Sequence, residues 1–163
     1  MKKPQLENLL KELHQEAYHW SRQCCSFDED LAKDVLQLVY LKILEGKADY
    51  KEKSQMKTWL FSVIRFTAYE EGRKEVKHIS LESLSDLAYE EDAPEMDYHE
   101  AMIQSLPDRQ REVLLLVFYH SLTLEKAAEV MGISIGSVRT HYERGKKNLK
   151  ERILKKTLHE NNR

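Results

Sequence analysis

Residues that break helices are scarce in this chain. Its 163 residues include five Gly and three Pro, and β-branched runs are few. A fold built of short strands and tight turns is therefore disfavoured, and an all-α fold is expected. No apolar stretch approaches the ~18 residues a membrane-spanning helix needs, so no membrane insertion is expected. The opening MKKPQLENLL has neither a long apolar core nor a small-residue cleavage site. No signal peptide is expected there, and the expected compartment is the cytoplasm. Cysteine is confined to Cys24 and Cys25. Adjacent cysteines rarely bond to each other, and a reducing cytosol disfavours a disulfide. His14 and His19 lie nearby, but the spacing matches no zinc pattern, and buried apolar packing is the expected role. A phosphate-binding glycine loop is missing, as is a nucleophile with a base beside it. His78, His99, His120 and His141 are expected on scattered surfaces. Neither an enzyme nor a bound cofactor is expected.

What is present is charge, unevenly spread. Charged residues make up 33% and apolar ones 41%, which suits one helix-rich domain or two small ones. The net charge of −2 hides an asymmetry. Residues 1–74 hold 13 basic and 12 acidic groups; residues 75–100 hold one basic and nine acidic; residues 101–163 hold 12 basic and seven acidic. A basic C-terminal third behind an acidic stretch suggests a DNA-binding module on a tether.

Helical periodicity organises the first half. Leu6, Leu9, Leu10, Leu13, Ala17 and Trp20 predict a helix from about Pro4 to Gln23. Phe27-Asp28-Glu29-Asp30 is a break with a capping residue. A second helix is expected from about Leu31 to Glu45, apolar nearly all round and ending at Gly46. Residues 48–56 are polar and loop-like. A third helix is expected from about Met56 to Lys74, with Trp59, Leu60, Val63, Ile64 and Thr67 on one face. Residues 75–97 read as a flexible acidic linker with an apolar island, Ile79-Leu81-Leu84-Leu87. Its ~23 residues can extend ~75–80 Å, about two turns of B-DNA at ~34–36 Å each. From Tyr98 the chain is helical again. Leu106-Pro107 breaks it, Asp108 can cap, and a helix from Arg109 to His120 follows.

Residues 122–150, LTLEKAAEVMGISIGSVRTHYERGKKNLK, read as a helix-turn-helix. Thr123 caps a helix from Leu124 to Met131, and Gly132 stops it in the left-handed conformation. Ser134 caps the next helix, and Ile133 and Val138 are placed to pack the pair together. Ala128, Gly132 and Val138 stand at the usual spacing of such units. From Ser134 to Lys156 there are eight Lys or Arg against Glu143 and Glu151. Arg139, Thr140, Glu143 and Arg144 share a face from which Arg can read guanine and Glu can accept from cytosine. Lys146, Lys147 and Lys150 lie further along and suit phosphates.

Residues 106–150 resemble the fourth region of bacterial sigma factors of the extracytoplasmic-function (ECF) group. Shared features are Leu-Pro, Arg-Glu-Val, a capped helix, Gly-Ile-Ser and a basic helix. Residues 30–44, DLAKDVLQLVYLKIL, are similar to the second region of that family through Asp34, Gln37, Tyr40 and Leu41. Residues 57–74, KTWLFSVIRFTAYEEGRK, are similar to its Trp-Leu-aromatic segment through Trp59, Leu60, Phe61, Glu70 and Arg73. Both blocks stand in the family's order across about residues 5–155.

The resemblance implies two helical domains, 1–74 and 98–163, joined by the linker 75–97. It implies binding to core RNA polymerase, recognition of two promoter elements and help in opening the duplex. Asp34, Gln37, Leu38 and Leu41 would dock on the clamp helices of the large catalytic subunit. Lys53, Lys57, Phe61, Arg65, Phe66 and Arg73 would take the minus-ten element as unpaired bases on a cationic path. Lys51 and Lys74 extend that path, whereas Trp59 and Leu60 suit the core. Ser137, Arg139, Thr140, Glu143, Arg144 and Lys147 would take the minus-thirty-five element. An anti-sigma factor is a further expected partner. This chain departs from the family at Phe66, where Asn is usual, at Glu70, where Asp is common, and at Glu143, often aromatic or Arg. A stand-alone dimeric helix-turn-helix regulator is the alternative reading, and it would need a dimer interface and palindromic half-sites.

Overall fold

The computed structural model describes residues 2–82 and 97–161. All regular structure among the described residues is helical. The chain divides into two compact units, Met1–Glu95 and Met96–Arg163. No helix among the described residues is long and apolar enough to cross a membrane.

Unit 1 is built from α1 (Lys3–Cys24), α2 (Glu29–Leu44) and α3 (Met56–Glu82), each packed on the other two. Asp28 caps α2, its Oδ1 accepting from the Leu31 N–H at 3.1 Å. Gly46 follows α2 with φ +78°, a conformation a Cβ would disfavour. Leu10, Ala17 and Trp20 of α1 meet Val35, Leu36, Val39 and Ile43 of α2 and Leu60, Phe61 and Ile64 of α3. The Trp20 ring stacks on Phe61, with centroids 5.6 Å apart and planes 6° from parallel. Its Nε1–H also donates to the Phe61 carbonyl at 3.0 Å. Ser21, fully buried, donates to the Ala32 carbonyl at 2.8 Å. Both buried donors are thus matched, which removes the cost of leaving them dry and unpaired.

Two expectations change here. The α2 helix is not apolar all round in effect, because Leu41 and Leu44 are 51% and 49% exposed while Val35 and Val39 are fully buried. The third helix runs past the expected end at Lys74 to Glu82. Residues 75–82 contain no Gly or Pro, so acidic composition alone does not stop the helix. Of the apolar island, Leu84 and Leu87 lie outside the described residues, as do the side chains of Ile79 and Leu81.

Unit 2 comprises α4 (Tyr98–Gln104), α5 (Asp108–Leu114), a π-helical turn (Leu115–Tyr119), α6 (Leu124–Met131) and α7 (Ile135–Asn161). The helix expected from Arg109 to His120 is therefore interrupted. The His120 N–H bonds the Leu115 carbonyl, five residues back, at 3.1 Å. The wider turn leaves Leu115 and Leu116 buried and Phe118 and Tyr119 exposed. His120, expected on the surface, is buried at 4% exposure. Asp108 does not cap α5 but opens it, and pairs with Arg111 at 3.1 Å. Its charge still suits the positive end of the helix dipole.

The centre of unit 2 is the contact of α5 with α7. Gly145 lies against α5 so closely that a Cβ there would come within 3.3 Å of Gln110 Cβ and of Leu114 Cγ and Cδ1. Three residues on, Asn148 donates to Gln110 Oε1 at 2.7 Å. Replacing Gly145 by a branched residue forces the two helices apart. Gly145→Val is expected to destabilise unit 2 by about 1–3 kcal/mol, the usual cost of overpacking. Thermal unfolding checks this, and an unchanged or higher midpoint would show that α5 yields freely.

Candidate nucleic-acid interface

The turn between α6 and α7 forms as its residues dictate. Thr123 Oγ1 accepts from the Lys126 N–H at 3.2 Å, and Ser134 Oγ from the Ser137 N–H at 3.1 Å. Gly132 adopts φ +65°, and its N–H closes on the Ala128 carbonyl at 2.9 Å. Ala127 and Val138 are fully buried between the helices, while Ile133 is half-buried.

At about 100° per residue, α7 divides cleanly into two sides. Val138 and Gly145 are buried toward α5 and α6. Ser137, Arg139, Thr140, Glu143, Arg144 and Lys147 are the six expected DNA contacts. Ser137, Arg139, Thr140, Glu143 and Arg144 are exposed, and Lys147 stands beside them on the same side. These six lie within an arc of about 160° opposite the buried side. Arg139, Arg144 and Lys147 enter no ion pair among the described residues. Glu143 pairs with Lys146 at 3.1 Å, a surface contact worth little. Thr140 donates to the Gly136 carbonyl of its own helix at 3.1 Å, which fixes its rotamer. The arrangement offers a row of side chains able to donate and accept, backed by a rigid pair of helices.

Unit 1 presents two further surfaces. On α2, Asp34, Gln37 and Leu41 are exposed and Leu38 is half-buried. With Leu44 they form an outward stripe of mixed apolar and polar character. A groove lined by Leu10, His14, Tyr40 and Leu44 lies beside it. There His14 Nδ1 and the Tyr40 hydroxyl are hydrogen-bonded at 2.8 Å.

On α3 the expected minus-ten residues separate. Phe66 is 63% exposed, whereas Phe61 is fully buried. The two stand five residues apart, about 140° around a helix, so both cannot face outward. Phe61 is a core residue and cannot offer a ring to a base, which corrects the expectation. The helical phase it shares with Leu60, Ile64 and Ala68 was the signal for this. Lys57 lies above the Phe61 ring at 5.7 Å and reaches Glu16 at 3.6 Å. Arg65 sits over the Tyr69 ring at 4.7 Å. Lys53 and Arg73 are exposed. Lys42 and Tyr69, which sequence reasoning overlooked, flank Phe66. Both needed the pairing of α2 with α3 to be seen. Cys25 is buried and Cys24 half-buried, both as free thiols.

Comparison with known proteins bears on these surfaces. Residues 98–149 match the family described as Sigma-70, region 4. The RNA polymerase sigma factor YlaC of Bacillus subtilis is 29% identical, over 92% of this chain and 92% of its own. The ECF RNA polymerase sigma factor SigM of the same organism is 28% identical, over 76% of this chain and 80% of its own. The fold resembles that of the sigma factor RpoE of Bartonella quintana, solved with the anti-sigma factor NepR. That match has a TM-score of 0.74 at 20% identity and covers 89% of this chain and 94% of the other. Unit 2 therefore carries its exposed arc on a helix pair of known DNA-binding type.

The groove on unit 1 has a pH signature. Burial pushes the Tyr40 hydroxyl up to about 12 from an ordinary 10.0. The unfolded chain then loses this proton first as pH rises. The stability Tyr40 contributes is present below about pH 10 and is lost between about 10 and 12. Tyr40→Phe is expected to flatten that fall, with a constant offset from removing the hydrogen bond to His14. Denaturant unfolding of both proteins across this range is the check. Parallel curves would mean that Tyr40 does not cause the alkaline loss.

Proposed function

The chain is an extracytoplasmic-function sigma factor, and on that premise we propose how its two units divide the work. As a sigma factor it binds core RNA polymerase, recognises promoter DNA and promotes transcription initiation. Residues 1–74 dock on the polymerase and take the minus-ten element. Residues 98–163 take the minus-thirty-five element, and residues 75–97 tether the two. The work is done in the cytoplasm by binding energy, without a covalent step.

Docking uses the outward stripe of α2. Leu41 and Leu44 are each about half exposed, so covering both removes roughly one leucine of apolar surface from water. That is worth about 1.5–3 kcal/mol. Asp34 and Gln37 beside them give the contact orientation against the clamp helices of the large catalytic subunit. In unit 2 the second helix of the pair enters the major groove. Ser137, Arg139, Thr140, Glu143 and Arg144 face base edges, and Lys147 binds phosphate. In unit 1 Lys53, Lys57, Arg65 and Arg73 line a path for the displaced strand, with Phe66 at its centre. The solved relatives RpoE and CnrH are complexed with NepR and CnrY, and a regulator of that kind is the expected anti-sigma partner here.

The observation that carries this reading is the outward arc of α7. All six residues expected to contact the minus-thirty-five element stand on it, and none is drawn into the core. The direct test is to incubate the chain with core polymerase and genomic templates and to map transcript starts. Absence of a complex and of new starts would defeat the assignment.

Substitutions separate the roles. Arg139→Ala or Arg144→Ala is expected to weaken promoter discrimination by ~1–3 kcal/mol for each base edge no longer read. Lys147→Ala should weaken all sequences about equally and reduce the salt slope by about one. Asp34→Ala combined with Gln37→Ala should reduce polymerase binding while leaving α7's grip on duplex DNA unchanged. Titrations of polymerase and DNA at several salt concentrations decide these points. A salt slope unmoved by the lysine change would overturn its phosphate role.

A further inference from the structure

One stripe of α3 combines exposed rings with cations. Ser62, Phe66, Tyr69 and Arg73 stand at i, i+4, i+7 and i+11, on one face of the helix. Phe66 is 63% exposed and Tyr69 40%. Each ring has a cation over it: Lys42 Nζ lies 5.6 Å from the Phe66 centroid, and the Arg65 guanidinium 4.7 Å from that of Tyr69. Lys42 reaches across from α2 and is braced there. It donates to Thr67 Oγ1 at 3.1 Å and to Glu70 Oε1 at 2.9 Å. The neighbouring carboxylates are neutralised, Glu70 by Lys42 and Glu71 by Lys74 at 3.2 Å. Arg73 is exposed and enters no ion pair among the described residues.

Two planar apolar faces, flanking cations and compensated acids suit an unpaired base on an anionic strand. A protein partner would use the apolar area but has no need of the cations. We propose that Phe66 and Tyr69 form a two-step stacking platform for consecutive unpaired bases of one DNA strand, with Arg65 and Arg73 on the flanking phosphates. The proposal rests on reading unit 1 as the minus-ten-binding part of a sigma factor. It adds Tyr69 to that site and assigns Lys42 as the brace. A cation on one face of a ring leaves the opposite face for a base.

Geometry gives the platform a consequence for selectivity. Side chains at i and i+3 are about 5–6 Å apart at their Cβ atoms. Bases in duplex DNA rise only about 3.4 Å per step. The two bases must therefore part from each other, which an intact duplex forbids. Rings read the face of a base and not its hydrogen-bonding edge. Selection at these two positions is weak and follows stacking strength, so purines are favoured over pyrimidines.

The test uses the full chain assembled with core polymerase and a forked promoter taken from a mapped transcript start. 2-Aminopurine is placed at one position at a time along the unpaired non-template strand. Quenching is expected at two adjacent positions. Phe66→Ala should restore fluorescence at one and Tyr69→Ala at its neighbour. Each should weaken binding of the forked DNA by roughly 5- to 150-fold. The salt slope should stay unchanged, since no phosphate contact is removed. Phe66→Leu, apolar but not planar, should behave like Phe66→Ala, and Phe66→Trp should retain quenching. Fluorescence unaltered in the alanine variants of a holoenzyme that still opens the promoter would overturn the proposal. Variants that lose the polymerase while quenching persists would mark a protein-docking patch and overturn it equally. If the wild-type chain forms no complex with core polymerase, the functional reading fails and takes the platform with it.

Discussion

The stack of Trp20 on Phe61 sets the rotation of α3, and the surface of unit 1 follows from that rotation. With Phe61 turned fully inward, Phe66 and Tyr69 must turn out, because the helical repeat allows nothing else. The hydrogen bond from Trp20 Nε1 to the Phe61 carbonyl fixes the helix along its axis as well as about it. Aromatic pairs of this kind add about 0.5–1.5 kcal/mol to the area they bury. Here the larger consequence is geometric. A slip of one residue would carry Phe61 to the surface and bury a charged or polar neighbour.

Unit 2 solves the same problem by different means. Its reading helix is held from behind by a residue with no side chain. Gly145 lets α7 lie against Gln110 and Leu114 of α5, and Val138 fills the gap toward α6. The opposite arc is then free of packing duties and can carry arginine, lysine and threonine. The exposed ion pairs, such as Lys146 with Glu143, add little to stability. What they change is the local field, since Lys146 offsets a carboxylate that would otherwise repel phosphate.

Much of this was legible in the residues before any coordinates. Thr123, Gly132 and Ser134 act locally, through caps and a left-handed turn, and they stand where their chemistry places them. The periodicity of α1 and the outward set on α7 were likewise readable, because helical phase is a property of a single segment. Less was legible where two segments meet. Phe61 had the right chemistry for a base surface, and only its partner Trp20 on another helix removed it. His120 looked like a surface residue until the π-helical turn drew it in. The end of α3 was misjudged because charge was taken as a helix breaker, although no Gly or Pro stood there.

The sequence by itself determined the helical elements, their caps and the basic character of the second half, since these depend on neighbours within a few residues. Only the tertiary structure decided which face of each helix remained for a partner. That choice is made by side chains far apart in the chain: Trp20 with Phe61, Lys42 with Glu70, Gly145 with Leu114. Burial is a property of packed pairs, and a linear pattern can specify the arc that prefers to be dry without saying what will cover it.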